Sequence, residues 1–122
     1  MNKEPIDKLR EDIVFNATLR GQPLTFHSTW GIFSPREVDE GSRLLLDHVE
    51  INPDDDCLDL GCGYGPIGLT LAKLAPQGRT ILVDKDYVAV DFANKNIALN
   101  GIGNAEAPVS YTHLTLPTKR IV

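Results

Sequence analysis

Two carboxylates and a run of glycines are the residues of this sequence best suited to holding a ligand. Asp59 stands two positions before Gly61-Cys62-Gly63-Tyr64-Gly65, and Asp84 follows about 23 residues after Gly61. Glycines between a strand and a helix let the backbone turn tightly and approach a ligand closely. Gly63-Tyr64-Gly65-Pro66-Ile67-Gly68 also fits the G-x-G-x-x-G spacing of dinucleotide-binding turns, so the glycines alone leave the ligand class open. Asp59 separates the possibilities. A dinucleotide brings a pyrophosphate to this turn, and a carboxylate about 5 Å away repels each phosphate charge by about 3 kcal/mol at an effective dielectric of about 20. S-adenosylmethionine (SAM) brings an ammonium and a sulfonium instead, for which an acid at that point is favourable. On this reading the loop amides stay free to approach the methionine part of the ligand. Asp84 suits ribose hydroxyls, a role that nicotinamide-binding and SAM-binding proteins share, and Lys85 is a candidate flank for the adenine.

These residues need a strand, a turn and a helix to hold them, and the sequence supplies each. Ile13, Phe15, Ala17 and Leu19 alternate, and Leu24 and Phe26 resume after Arg20-Gly21-Gln22-Pro23, which predicts a β-hairpin over 13–28. His27 and Trp30 follow it, and the sequence assigns His27 no role. Ser34-Pro35-Arg36-Glu37 combines a capping residue, a proline at the first helical position and the acid of a capping box. A helix is expected from there to about Val49, with Val38, Leu45 and Val49 on one stripe. Asn52-Pro53-Asp54-Asp55-Asp56 then reads as an acidic turn. Cys57 to Leu60 is a short apolar strand running into the glycines, and Pro66 opens a helix that Pro76-Gln77-Gly78 stops. Arg79 to Val83 is a second strand. Asp86 caps a second helix from Tyr87 to Asn100, which Gly101 closes. The order β-α-β-α, with crossovers of helical length, predicts an α/β fold with parallel strands in a Rossmann-like sheet.

Composition bounds the rest. The 122 residues suffice for one domain, and 42% hydrophobic with 24% charged residues is ordinary for a globular protein. No apolar run approaches the roughly 20 residues that span a bilayer, and the polar start lacks the apolar stretch of a signal peptide, so a cytoplasmic location is expected. The net charge of −5 advertises no nucleic-acid partner. Cys57 and Cys62 lack a second ligand pair, so neither a metal site nor a disulfide is expected. The last fifteen residues, Pro108 to Val122, break the pattern. A third strand is due after Asn104-Ala105-Glu106, yet the run alternates weakly and contains Pro117. Val109-Ser110-Tyr111-Thr112-His113-Leu114 resembles one reading frame of the transposon mosaic end used in sequencing libraries. The expectation is that residues 1–107 are authentic and residues 108–122 are a non-native, adapter-derived tail.

At the glycine loop a family becomes recognisable. D-L-G-C-G-Y-G-P-I-G at 59–68 resembles the first motif of class I SAM-dependent methyltransferases, and V-D-K-D-Y-x-A-V-x-x-A-x-x-N at 83–96 resembles their second. G-I-F-S-P-R-E-V-D-E-G-S-R-L-L-L at 31–46 is similar to the small-domain group, which includes bacterial ribosomal-RNA guanine-N2 methyltransferases. The resemblance spans residues 13–107 and implies the N-terminal part of a Rossmann-like methyltransferase fold with an incomplete sheet. It implies that Asp59, Gly61, Gly63 and Gly65, with Cys62 in the same loop, hold the methionine end of SAM, and that Asp84 holds the ribose. Phe33, Ser34 and Asp39 would close the pocket from above, or else cap and pack their helix. The family's Asn-Pro-Pro, which holds the acceptor amine, does not occur in the chain, so no residue is assigned to catalysis and ribosomal RNA would be engaged by sequence outside it. Two other acceptors stay open, a protein and a small molecule. So does a different class, a nicotinamide-binding oxidoreductase fragment, which Asp59 disfavours. A third reading is a fragment with no stable fold, because the first parallel strand would lack a neighbour on one side. That chain would aggregate or bind SAM poorly.

Overall fold

The computed structural model describes residues 13–29, 38–109 and 120–122. Strands β1 (Ile13–Leu19) and β2 (Gln22–Ser28) pair antiparallel, with Phe15 opposite Phe26 and Ala17 opposite Leu24. Arg20 and Gly21 join them with φ of 51° and 78°, the left-handed pair that a two-residue hairpin turn requires. One face is dry: Ala17, Leu19, Leu24 and Phe26 are buried, whereas Val14 is exposed. From the turn, Arg20 donates to the carbonyl of Leu46 at 2.7 Å and to that of Val49. Its cation thus sits at the C-terminus of helix α1 (Glu40–His48), where the helix dipole favours it.

Helix α1 starts later than the sequence suggested. Ser34 to Glu37, and Phe33 before them, lie outside the described residues, while Val38 and Asp39 are not helical. The N-cap is Asp39, whose carboxylate accepts from the backbone N–H of Ser42 at 3.3 Å and from its hydroxyl at 2.7 Å. That late start also rotates the buried stripe. Leu46 is the buried residue of the helix and Leu45 is 40% exposed, so Leu45 does not share the inner face with Val38.

The second sheet has the order β5-β4-β3-β6, all parallel: β3 (Cys57–Leu60), β4 (Thr80–Val83), β5 (Ala105–Glu106) and β6 (Arg120–Ile121). Helices α2 (Pro66–Leu74) and α3 (Tyr87–Leu99) make the crossovers. Asp86 caps α3 by accepting from Val88 N–H at 2.9 Å, and Gly101 closes it with φ of 64°. The side chain of Asn104 ends α2 by donating to the carbonyls of Ala72, Ala75 and Gly78. Leu69, Leu71, Val90, Ala93 and Ile97 from these helices share one core with Cys57, Leu82 and the dry face of the hairpin. The alternate residues Leu58, Ile81 and Val83 form a second buried cluster on the opposite face of the sheet.

Two expectations about the C-terminal region change. The third parallel strand is Ala105–Glu106 itself, two residues long, rather than a segment following it. The far edge of β3 is not bare. Cys57 and Leu58 pair with Arg120 and Ile121, Leu60 N–H donates to Val122 O at 2.7 Å, and Val122 N–H donates to Leu58 O at 2.8 Å. The face expected to be exposed is only partly so: Leu58, Ile81 and Val83 are buried, and Leu60 and Ile121 are more than half exposed. No helix among the described residues is long and apolar enough to cross a membrane.

Candidate cofactor site

The loop leaving β3 is built from left-handed turns. Gly61, Gly63 and Gly65 have φ of 70°, 57° and 111°, and Gly65 is the N-cap of α2 with Pro66 at its first position. At Gly65 a side chain would be strained by that φ and would meet Leu69 Cδ1 at 2.6 Å. Gly68 serves a different need. A Cβ there would lie 2.4 Å from Leu82 Cδ2 and 3.0 Å from Asp59 Oδ2, so α2 can settle against β4 only without one.

The loop uses its own amides. Gly61 N–H and Cys62 N–H both donate to Val83 O, at 2.8 and 2.9 Å, and Gly65 N–H donates to Cys62 O at 3.1 Å. Gly63 N–H donates to Asp84 Oδ2 at 3.0 Å. These four donors are therefore not free for a ligand, contrary to the sequence reading. Their engagement carries a consequence. A pyrophosphate at a glycine turn needs amides pointing at it, and this turn has bound its own to the end of β4.

Asp59 completes that argument. Its side chain is 2% exposed, and Oδ2 accepts from Gly68 N–H at 3.0 Å, inside the first turn of α2. The positive end of the helix, where an anionic ligand would sit, already holds a carboxylate. Burial pushes the Asp59 carboxyl up to about 7; the Gly68 N–H opposes the shift, and the charge of Asp84 adds to it. A cation brought beside it would favour its ionised form.

Asp59 lines a cavity of about 290 Å³ together with Asp39, Ser42, Gly61, Cys62, Gly63, Tyr64, Pro66 and Ile67. Asp39 thus caps α1 and faces the pocket at once. Its hydrogen bonds with Ser42 hold its carboxyl below the usual value. A second cavity, of about 410 Å³, is lined by Leu60, Gly61, Val83, Asp84 and Lys85. Gly61 belongs to both, and a Cβ on it would meet no protein atom within 4 Å, so the space beside it is open to a ligand. Asp84 accepts from Gly63 N–H and, through Oδ1, from Asp86 N–H at 2.9 Å. A carboxylate has about four acceptor positions, which leaves room for ribose hydroxyls. The residues fit SAM: an acid beside the turn, an acid at the end of the next strand, and an apolar floor of Leu60 and Val83. Cys62 is buried and free, and its thiol is pushed far up, first by burial and then by Asp59 and Asp84, so it stays protonated.

Ser42, Tyr64, Pro66 and Ile67 line the pocket and were not singled out from sequence. Tyr64 belongs to a ring cluster with Phe15 and Phe26, centroids 5.9 and 5.5 Å away, and burial raises its phenol to about 12. Phe33 and Ser34 lie outside the described residues.

Residues 23–117 match the model of the methyltransferase small domain. The chain belongs to the methyltransferase small domain family. It is 46% identical over 90 residues to YbxB of Bacillus subtilis (strain 168), a protein of uncharacterised function, covering 72% of this chain and 44% of that one. It is 38% identical over 99 residues to ribosomal RNA small subunit methyltransferase C of Pseudomonas putida (strain GB-1), covering 81% and 29%. Among solved structures, the T. thermophilus 16S rRNA N2 methyltransferase RsmC, in complex with AdoMet and guanosine, superposes with a TM-score of 0.74 at 32% identity, covering 85% of this chain and 29% of that one. The chain thus spans less than half the length of these relatives.

Proposed function

We propose that this chain is the SAM-binding part of a methyltransferase that acts on a guanine exocyclic nitrogen of ribosomal RNA in the cytoplasm. The observation that carries the cofactor is the placement of Asp59. A buried carboxylate fills the N-terminus of α2, and the four loop amides are spent inside the protein. Diphosphate is repelled there and a cationic amino-acid end is welcomed. SAM, when bound, supplies an electrophilic methyl group on a positively charged sulfur. Asp59 and the loop of Gly61, Cys62, Gly63 and Gly65, which offers carbonyls and shape rather than N–H groups, hold its methionine end, Asp39 closes the pocket opposite them, Asp84 takes the ribose, and Lys85 flanks the adenine. Phe33 and Ser34 are included among the cofactor residues on the family motif alone.

The rRNA acceptor is supported by relatives named as rRNA methyltransferases and by the guanosine named with RsmC. No Asn-Pro-Pro occurs among the 122 residues, so the acceptor amine has no partner in this chain and no methyl transfer is expected from it alone. Residues 1–107 are read as the N-terminal portion of the methyltransferase domain, and residues 108–122 as a non-native tail, on the strength of their weak alternation and adapter-like sequence. The family match overlaps the first part of that tail. Titration calorimetry of the full chain with SAM and with NAD tests the cofactor. Binding of SAM without NAD is the expected result; tight binding of NAD without SAM overturns the proposal.

A further inference from the structure

One fully buried side-chain amide on α3 links two other parts of the fold. Asn96, on α3, accepts through Oδ1 from His27 N–H at 2.7 Å and donates through Nδ2 to His27 O at 3.0 Å. This is the two-bond pattern that a neighbouring strand would make with residue 27. Nδ2 also donates to Tyr64 O at 2.8 Å, in the middle of the glycine loop. One turn further on, Asn100 repeats the strand-like pair with Thr25, at 3.0 and 2.8 Å. The same Nδ2 donates to the backbone carbonyl of Asn96, not to the loop. The spacing explains the match. Four residues of helix rise about 6 Å and two residues of strand about 6.6 Å, so an i, i+4 pair of asparagines can serve alternate residues of β2.

We propose that Asn96 is a positioning residue for the cofactor loop, and that through it ligand binding at the glycines and docking of the hairpin favour each other. The inference rests on the cofactor reading above. Tyr64 lies between Gly63 and Gly65, so fixing its carbonyl fixes the Tyr64–Gly65 peptide plane and, next to it, limits the turn at Gly63. Asn96 holds Tyr64 by the main chain, while Phe15 and Phe26 of the hairpin hold its ring at centroid distances of 5.9 and 5.5 Å. Both donors and the acceptor of the Asn96 side chain are engaged, and the group is excluded from water. A hairpin that loosens therefore releases the loop, and a loop held by ligand tightens the hairpin, by reciprocity of linked equilibria.

The matched variants Asn96→Asp and Asn100→Asp in the full chain separate loop positioning from hairpin attachment. Each keeps an oxygen for the β2 amide and loses the donor to the β2 carbonyl; only Asn96→Asp also loses the bond to Tyr64. Asn96→Asp is expected to raise the Kd for S-adenosylhomocysteine at least tenfold, and Asn100→Asp to leave it within twofold. In ligand-free nitrogen-15 spectra the Gly63 and Gly65 amides should shift in Asn96→Asp alone. Equal loss of affinity in the two variants, or unmoved glycine amides in Asn96→Asp, overturns the proposal. If Asn96→Asp does not fold, the wild-type chain decides: saturating S-adenosylhomocysteine should slow hydrogen exchange at the His27 amide about tenfold, and unchanged exchange sinks the inference. A wild-type chain that takes up no ligand refutes the cofactor reading instead, while the ligand-free glycine shifts still judge Asn96.

Discussion

At the scale of single residues, Asp59 decides the site. Its carboxyl titrates near 7 because it is buried beside Asp84, and its folded value lies above the ordinary 3.8. The folded chain therefore binds more protons than the unfolded chain between about pH 4 and pH 7, and its stability falls as pH rises through that window. Asp59→Asn removes this dependence, and denaturant unfolding at pH 8 should show the variant more stable by about 1–3 kcal/mol, within the roughly 4 kcal/mol that a three-unit shift represents. The same variant should bind SAM at least tenfold more weakly. Wild-type affinity should fall below about pH 7, where Asp59 is protonated, and again above about pH 8, where an α-amino group loses its proton. Kd measured from pH 5.5 to 9 checks this; an acid limb that survives in Asp59→Asn would show that another group is responsible. The nearness of Asp59 to the glycine turn was legible in the sequence because both lie in one short stretch, and the structure lines one cavity with Asp59, Gly61 and Gly63. The engagement of the Gly61, Cys62 and Gly63 amides was not, because their acceptors, Val83 O and Asp84 Oδ2, lie about 20 residues away and meet the turn only once β4 is in place.

At the scale of elements, the contact between α2 and β4 leaves no room for a side chain at Gly68. Gly68→Ala would force a methyl group against Leu82, a side chain with no exposed surface and little room to yield. Overpacking of this kind costs about 1–3 kcal/mol. Because Gly68 N–H also bonds Asp59, SAM affinity should fall along with the unfolding free energy; denaturant melts and calorimetry of the variant report both. Strand and helix identities followed from the sequence, since alternation and helical spacing are local. The start of α1 did not. Ser34, Pro35 and Glu37 lie outside the described residues, and the cap of the helix that is described is Asp39, whose carboxylate meets an N–H three positions on. Sequence offered Ser34 as a cap, and nothing in the spacing marked Asp39 as another. The asparagine clip was also hidden: Asn96 ended the second family motif and Asn100 the helix, but neither place shows a partner until β2 lies beside them.

At the scale of the whole molecule, the sheet stays incomplete, but one edge of β3 is partly covered by chain from its far end. β6 contributes two residue pairs to β3, with Val122 adding bonds to Leu58 and Leu60. A chain ending at residue 119 should lose those backbone bonds, each worth about 1 kcal/mol, and with them about 5–10 °C in Tm. It should also associate through the uncovered edge. Scanning calorimetry with sedimentation checks both effects, and an unchanged Tm would mean that the C-terminal pairing contributes nothing to stability. Sequence reasoning missed this pairing because long-range parallel register leaves no local mark in two residues followed by a valine. The order of the strands has one more consequence. Reading outward from β3, the chain runs through β4 to β5 on one flank, whereas the other flank is filled by β6. The path from β3 through α2 to β4 by itself places the glycine turn beyond the carboxyl end of β3, so the cavity lined by Asp59 and Gly61 does not depend on β6, which lies in the tail read above as non-native. The opening is therefore a property of connectivity: exchanging side chains around the turn alters what is gripped there and leaves the doorway itself in place.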